Sequence, residues 1–191
     1  MRTFSLASGF IVLNLPSMIL QERNDPMGTA IRDYFTTGRC DRLRVLSPQF
    51  EEDELPVSLL FRKETEMPRL ERLALGEARG RVLDTGAGAG CHTLALQRKG
   101  LDVTAIDISP GAVGTMRQRG VKDACLCDFF EDDPGGPFDT ILMLMNGIGI
   151  CGRLKRLPAF FARVSRLLAP GGQVLADSSD LIYLFEDGEI Q

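Results

Sequence analysis

The run Val82-Leu83-Asp84-Thr85-Gly86-Ala87-Gly88-Ala89-Gly90 sets an acid and three glycines where an apolar strand ends and a helix begins. Glycine at 86 and 88 lets the backbone approach a ligand where a Cβ would collide. The helix starting there presents unpaired N–H groups, which in a dinucleotide enzyme would hold a pyrophosphate. The spacing argues against that ligand. The dinucleotide fingerprint is G-x-G-x-x-G, whereas these glycines fall as G-x-G-x-G and Cys91 takes the last fingerprint position. Asp84, just ahead of them, suits a ligand with a positive amino group. Asp107 closes the next apolar run, Val103 to Ile108, where a carboxylate can accept from both hydroxyls of a ribose. The lesser alternative is a helix cap or a solvent-facing acid, and Ser109 ahead of Pro110 is the better cap. Asp128, in Cys127-Asp128-Phe129, can accept the exocyclic amine of an adenine, with Phe129 or Ile108 packed on its ring. Each acid alone says little. Three at the ends of successive strands would share the crevice where open α/β sheets bind ligands.

The elements that must position them follow from periodicity. Strands are predicted at Arg81–Asp84, Leu101–Ile108, Lys122–Phe129, Phe138–Met145 and Gln173–Asp177, the fourth a nearly continuous apolar run of the kind buried on both faces. Helices are predicted between them: Glu66–Ala78 on apolar positions Met67, Leu70, Leu73 and Leu75, then His92–Lys99, Pro110–Arg119 and Arg153–Leu168. Pro170-Gly171-Gly172 reads as a sharp stop, and Leu181–Phe185 as the start of another helix. Repeated alternation implies an α/β fold, a doubly wound, mostly parallel sheet with helices on both faces. Residues 66–191 form that core. Residues 1–65 read as an irregular N-terminal extension and candidate lid: Asp25-Pro26-Met27-Gly28 opens a helix through Tyr34, and Leu43–Leu46 and Pro56–Phe61 form a hairpin around the acidic loop Glu51–Glu54. The apolar stretch Phe4–Leu20 is broken by Asn14 and Pro16 and reads as a poorly ordered extension, neither signal peptide nor membrane span. Met18 or Met27 would then be alternative starts.

The ordered set Leu83-Asp84-x-Gly-x-Gly-x-Gly, Ile106-Asp107, Cys127-Asp128, Phe138-Asp139-Thr140-Ile141-Leu142 and Leu168-Ala169-Pro170-Gly171-Gly172 resembles class I, Rossmann-like, S-adenosylmethionine-dependent methyltransferases over about residues 66–185. The resemblance implies S-adenosylmethionine as cofactor. It implies Asp84 and the Gly86, Ala87, Gly88, Gly90 turn near the methionine part, Asp107 on the ribose and Asp128 on the adenine. It puts Asn146 near the sulfonium end. Leu144-Met145-Asn146-Gly147-Ile148-Gly149 is not the Asn-Pro-Pro-aromatic signature of amino-directed DNA methylation. Such folds usually continue past the fifth strand with a helix and an antiparallel pair of strands. This chain lacks those C-terminal strands, so it reads as a fragment, unless the hairpin near residues 43–61 substitutes. An uncovered fifth strand would be an exposed edge favouring poor solubility or oligomerisation.

Bulk properties narrow the partners. With net charge -4 and 25% charged residues, the chain has no global attraction for phosphate backbones. No nucleic acid partner is expected, and no membrane; the expected acceptor is a small molecule. Five irregularly spaced cysteines with a single histidine suggest neither a disulfide framework nor a metal site, and fit reduced thiols in the cytoplasm. No catalytic base stands out. Asn146 is a candidate for positioning, and Tyr34, Arg62 and Glu66 for a lid, though Arg62 and Glu66 could simply pair in solvent. His92 is expected to be structural, and Cys91 lacks a visible base partner. Asp177-Ser178-Ser179-Asp180 would border the pocket or cap the next helix. Two rival functions share this architecture: an NAD(P)-dependent oxidoreductase and a non-catalytic S-adenosylmethionine-binding domain.

Overall fold

The computed structural model describes residues 6–7, 10–11, 18–46 and 52–179. Two short strands, β1 (Leu6–Ala7) and β2 (Phe10–Ile11), pair antiparallel. Helix α1 spans Pro26–Thr37. Asp25 caps it by accepting from Gly28 N–H at 2.8 Å, Pro26 fits the first turn, and Gly38 ends it in the left-handed region. The hairpin of β3 (Leu43–Val45) and β4 (Asp53–Leu55) follows. Its second strand is therefore the acidic segment itself, not Pro56–Phe61. Arg44 stands opposite Glu54, and the pairs Arg42–Glu54 and Arg44–Glu52 draw the acids into the ladder. Pro56 brings no N–H to a ladder, and Val57–Phe61 coils into a 3₁₀ turn closed by Leu59 N–H on the Pro56 carbonyl.

Helix α2 (Arg69–Glu77) is shorter than its periodicity suggested, because Pro68 sets its N-terminus and Glu64–Glu66 forms a separate 3₁₀ turn. Its buried stripe also differs. Met67 and Leu75 are buried with Glu71 between them, whereas Leu70 and Leu73 face solvent. Then come β5 (Arg81–Thr85), α3 (Cys91–Arg98), β6 (Asp102–Asp107), α4 (Pro110–Gln118), β7 (Asp123–Leu126), β8 (Phe138–Met143), α5 (Leu157–Leu167) and β9 (Leu168–Ala176). These five strands form one parallel sheet in the order β7-β6-β5-β8-β9. The β3–β4 hairpin remains a separate sheet and adds no strand to this one. Pro170-Gly171-Gly172 does not interrupt β9. It makes a bulge, with Phe138 opposite Leu168 but Thr140 opposite Gln173. The helix predicted at Leu181–Phe185, residue Asp180 and most of Phe4–Leu20 lie outside the described residues.

Alternation along the strands sorts the core onto two faces. Leu83, Ile141 and Met143 pack with Phe160, Val164 and Leu167 of α5. Val82, Leu142 and Val103 pack with Leu75 of α2 and Ala95 and Leu96 of α3. Ala105 and Ala124 lie under Val113 and Met116 of α4. The N-terminal part is docked on this core. Asp25, 3% exposed, also accepts from Ser109 Oγ at 2.7 Å and Gly111 N–H at 3.1 Å, tying α1 to the start of α4. Gly28 and Gly111 touch, and a Cβ on Gly111 would lie 2.5 Å from the Gly28 carbonyl. Ala30 and Ile31 of α1 pack with Val57, Ala89 and Ala112. Arg119 donates to the Ala89 carbonyl and lies 4.5 Å over the Phe61 ring.

Candidate functional site

Because β5, β6, β7 and β8 run parallel, their carboxyl ends open on one edge, where two adjoining hollows lie. The larger, about 440 Å³, is lined by Asp84, Gly86, Ala87, Gly88, Asp107, Ile108 and Asn146 among others. The smaller, about 130 Å³, is lined by Asp107, Ile108, Asp128 and Phe129 and also by Met18. Asp107, Ile108, Thr85 and Gly86 border both, so the three acids face one divided cleft. Gly90 is the exception among the cofactor-binding residues expected from sequence. It lines neither hollow, and a Cβ there would strike Val121 at 2.9 Å and Met116 at 3.1 Å. Its role is close packing of the turn against α4.

The turn is bare where it meets the cleft. Gly86 (φ 66°) and Gly88 (φ 56°) hold left-handed backbone that other residues adopt at a cost. A Cβ on Gly86 would point into open space, and one on Gly88 would meet only Leu60 at 3.8 Å. The turn's amides differ from expectation. Gly86 and Ala87 N–H donate to the Ile106 carbonyl at 2.9 and 3.1 Å, Gly88 N–H donates to Asp107 Oδ2 at 2.9 Å, and Gly90 N–H to the Ala87 carbonyl at 2.8 Å. These four donors are satisfied within the protein.

The acids are held firmly. Asp84 is buried and accepts from Thr93 Oγ1 at 2.5 Å. Burial raises its pKa, against the pull of the His92 charge and the Thr93 hydrogen bonds. Asp107 accepts from Ser109 N–H at 2.9 Å as well as from Gly88. Burial pushes its pKa up too, opposed by those N–H bonds. Ser109 caps α4 through Ala112 N–H, which leaves Asp107 to the cleft. Asp128 accepts from Phe130 N–H at 2.9 Å and from Met18 N–H at 2.8 Å. Leu20 N–H donates to the Ile108 carbonyl at 2.9 Å. Residues 18–20 therefore run along the cleft, with Met18 at the smaller hollow and Leu20 at the larger. Phe129 is buried in the core cluster with Phe138 and Phe160 and presents only part of itself to the cleft.

At the far end, Met145 (φ 57°) and Asn146 (φ 60°) form a left-handed pair after β8. Asp177 fixes it, accepting from Met145 N–H at 3.0 Å and Asn146 N–H at 2.7 Å. Asn146 Oδ1 accepts from Ser179. Asp177 thus shapes the cavity wall from behind. The lid candidates divide. Tyr34 packs on Phe61, 5.0 Å between ring centroids, and does not line the cavity. Arg62 and Glu66 are not a solvated pair. Glu66 accepts from its neighbour Lys63 N–H, and Arg62 is buried on Glu71.

Glu71 and the walls formed by Leu20, Met27, Leu55 and Leu60 were missed from sequence. Glu71 left one signal: it sits midway between Met67 and Leu75 at spacings of four, an acid on a buried stripe. The walls left none, because long-range docking brings them in.

Comparison with known proteins places this geometry. A family model for a methyltransferase domain matches residues 60–182. The demethylmenaquinone methyltransferase of Tropheryma whipplei (strain Twist) is 31% identical over 136 residues, covering 64% of this chain and 52% of that protein. The ubiquinone biosynthesis O-methyltransferase of Xylella fastidiosa (strain 9a5c) is 32% identical over 108 residues, covering 51% and 41% respectively. The chain thus spans about half, or less, of the length of these curated relatives. A crystal structure of a SAM-dependent methyltransferase from Bacteroides fragilis in complex with S-adenosyl-L-homocysteine is 55% identical, with a TM-score of 0.85. It covers 90% of this chain and 72% of that one.

Proposed function

This chain belongs to the class I S-adenosylmethionine-dependent methyltransferase family, and we propose that it transfers the sulfonium methyl of S-adenosylmethionine to a small-molecule acceptor. The observation that carries the reading is the divided cleft, with Asp107 on its partition bonded to the bare turn at Gly88. The fit is chemical as well as spatial. Asp107 keeps lone pairs for the ribose hydroxyls after accepting its two N–H bonds. Asp84 answers the methionine ammonium, and Asp128 the adenine amine, with Ile108 and Phe129 against the ring. Gly86 and Gly88 leave room for the ligand backbone-close, Ala87 lies beside them, and Asn146 borders the sulfonium end.

S-adenosylmethionine supplies an already activated methyl group. The chain's own residues then have two tasks, aligning the nucleophile in line with the methyl and keeping water away. The apolar walls Leu55, Leu60, Leu144 and Met145 serve both. A small-molecule acceptor is supported by the size of the cavity, about 440 Å³, by the acidic net charge, and by the quinone-pathway relatives. A cytoplasmic setting is supported by five cysteines that are all free thiols. Among the described residues no helix is long and apolar enough to cross a membrane.

Titration calorimetry with S-adenosylhomocysteine and, separately, NADH tests the reading. The expected result is binding of the first and none of the second. Replacing Asp107 by Asn should weaken it about tenfold or more, since a hydrogen bond to a charged group contributes about 1.5–3 kcal/mol. Binding of NADH alone would overturn the proposal.

A further inference from the structure

One wall of the larger cavity has no part in the donor reading. Met27, Leu55, Leu60, Leu144 and Met145 make it apolar, and His92 is the basic side chain among its lining residues. His92 is 6% exposed. Its Nε2 lies 2.7 Å from Glu71 Oε2. Arg62 Nη2 donates to both oxygens of Glu71, at 3.0 and 3.1 Å. The Arg62 and Glu71 side chains are 12% and 8% exposed. The charged or titratable groups around His92 are Glu71 from α2, Cys91 on its own helix and Asp84 from β5, with Arg62 behind Glu71. Burial opposes protonation of His92. Hydrogen bonds with Cys91 and Glu71 and the charges of Cys91 and Asp84 outweigh it and push the pKa up to about 10.

A histidine that keeps its proton at neutral pH is a poor base for deprotonating an acceptor. It is a good partner for a negative oxygen, and the apolar side chains beside it strengthen that attraction. Among the described residues that line the cavity, His92 is the one basic side chain.

We propose that His92, positioned by Glu71, recognises the methyl acceptor, and that this acceptor is a small, mainly apolar molecule whose nucleophile is an acidic hydroxyl of the phenol or enol class. The inference rests on the methyl-transfer reading. The hydroxyl releases its proton to water, and the oxyanion settles against His92. An oxygen lone pair forms the bond to the methyl carbon. The carbon–sulfur bond breaks with its electron pair on sulfur, leaving a neutral thioether. His92 keeps its proton throughout. A protonated amine acceptor would instead meet a like charge.

The test uses two isosteric probes, 4-nitrophenol and 4-nitroaniline, bound to the full chain saturated with S-adenosylhomocysteine. The phenolate colour reports ionisation directly. Bound 4-nitrophenol should titrate about one pH unit or more below the free compound, a tenfold preference for the anion, and 4-nitroaniline should bind at least tenfold more weakly. His92→Gln keeps an amide donor for Glu71 but no charge. It should return the titration to the free value while changing S-adenosylhomocysteine affinity less than about threefold. Glu71→Gln should move the titration in the same direction by a smaller amount, as befits a positioning residue. The inference is overturned if S-adenosylhomocysteine binds but the two probes bind alike. It is equally overturned if His92→Gln leaves the bound titration unmoved, or weakens S-adenosylhomocysteine as much as 4-nitrophenol. Failure of S-adenosylhomocysteine to bind wild type would instead remove the methyl-transfer reading beneath it.

Discussion

The cleft has two kinds of wall. The one formed by the ends of β5, β6 and β7 is made by repetition: strand, acid and turn three times over, the first two followed by a helix. The one formed by residues 18–62 is made of single contacts. Asp25 holds α1 to α4, Gly28 touches Gly111, Arg119 reaches across to the Phe61 ring, and Arg62 is locked on Glu71. A repeated device survives the loss of one copy, because the sheet supports the others. A wall of single contacts has no spare, so its failures should be larger per residue and should not spread evenly.

The strongest way to break that contrast is Glu71→Ala. It leaves Arg62 and His92 buried without their shared anion, and we expect a loss of about 3–5 kcal/mol in chemical denaturation. A loss below about 1 kcal/mol would mean the wall is not hung on this contact. The same network predicts a pH dependence. The folded pKa of His92, about 10, lies above the unfolded value of about 6.5, so the folded state holds the extra proton between them. Its contribution to stability is full below about pH 6.5 and is lost as pH rises toward 10. The difference in melting temperature between wild type and His92→Gln should therefore shrink from pH 7 to 10; a constant difference contradicts the pairing.

Gly111→Ala comes next. The new methyl would press on the Gly28 carbonyl at 2.5 Å, forcing α1 away from α4 at about 1–3 kcal/mol. Proteolysis should then attack residues 18–46 well before the sheet. If α1 and the sheet became sensitive together, the two walls would be one cooperative unit. Smallest of all is Arg42→Ala in the β3–β4 hairpin. Its pair with Glu54 is exposed, 74% and 39%, and should contribute less than about 0.5 kcal/mol, with no change in ligand affinity.

The same contrast explains what was legible in the sequence. Asp84, Asp107 and Asp128 announced themselves because each follows an apolar run and precedes a turn, and a parallel sheet brings such ends together whatever the loops do. Asn146 was legible by place, after the fourth strand, but its left-handed backbone and its dependence on Asp177 were not. Gly90 was misplaced because a motif says glycine is required without saying which side of the turn is crowded. The hairpin was misread for a physical reason. Acidic residues were assigned to a loop, and here Arg42 and Arg44 neutralise them within a strand. Leu70 and Leu73 were taken as core because they are apolar, while the buried face of α2 is instead chosen by Glu71 and its two cations. Only distant partners decide such cases, and local pattern carries no record of them.

The bulge at Pro170-Gly171-Gly172 sits on the surface, remote in sequence from everything that binds. Yet it sets the phase of β9 against β8, and so determines that Asp177 arrives under the Met145–Asn146 corner. Side chains along a strand alternate faces, so shortening the bulge by one residue while the Phe138–Leu168 pairing stays fixed would slip the downstream register by one and turn Asp177 to the opposite side of the sheet. The corner would lose both its anchors at once. A length change in a solvent-facing spacer would be felt inside the pocket, as a misaligned seat for the nucleophile, although every residue touching the ligand had stayed the same.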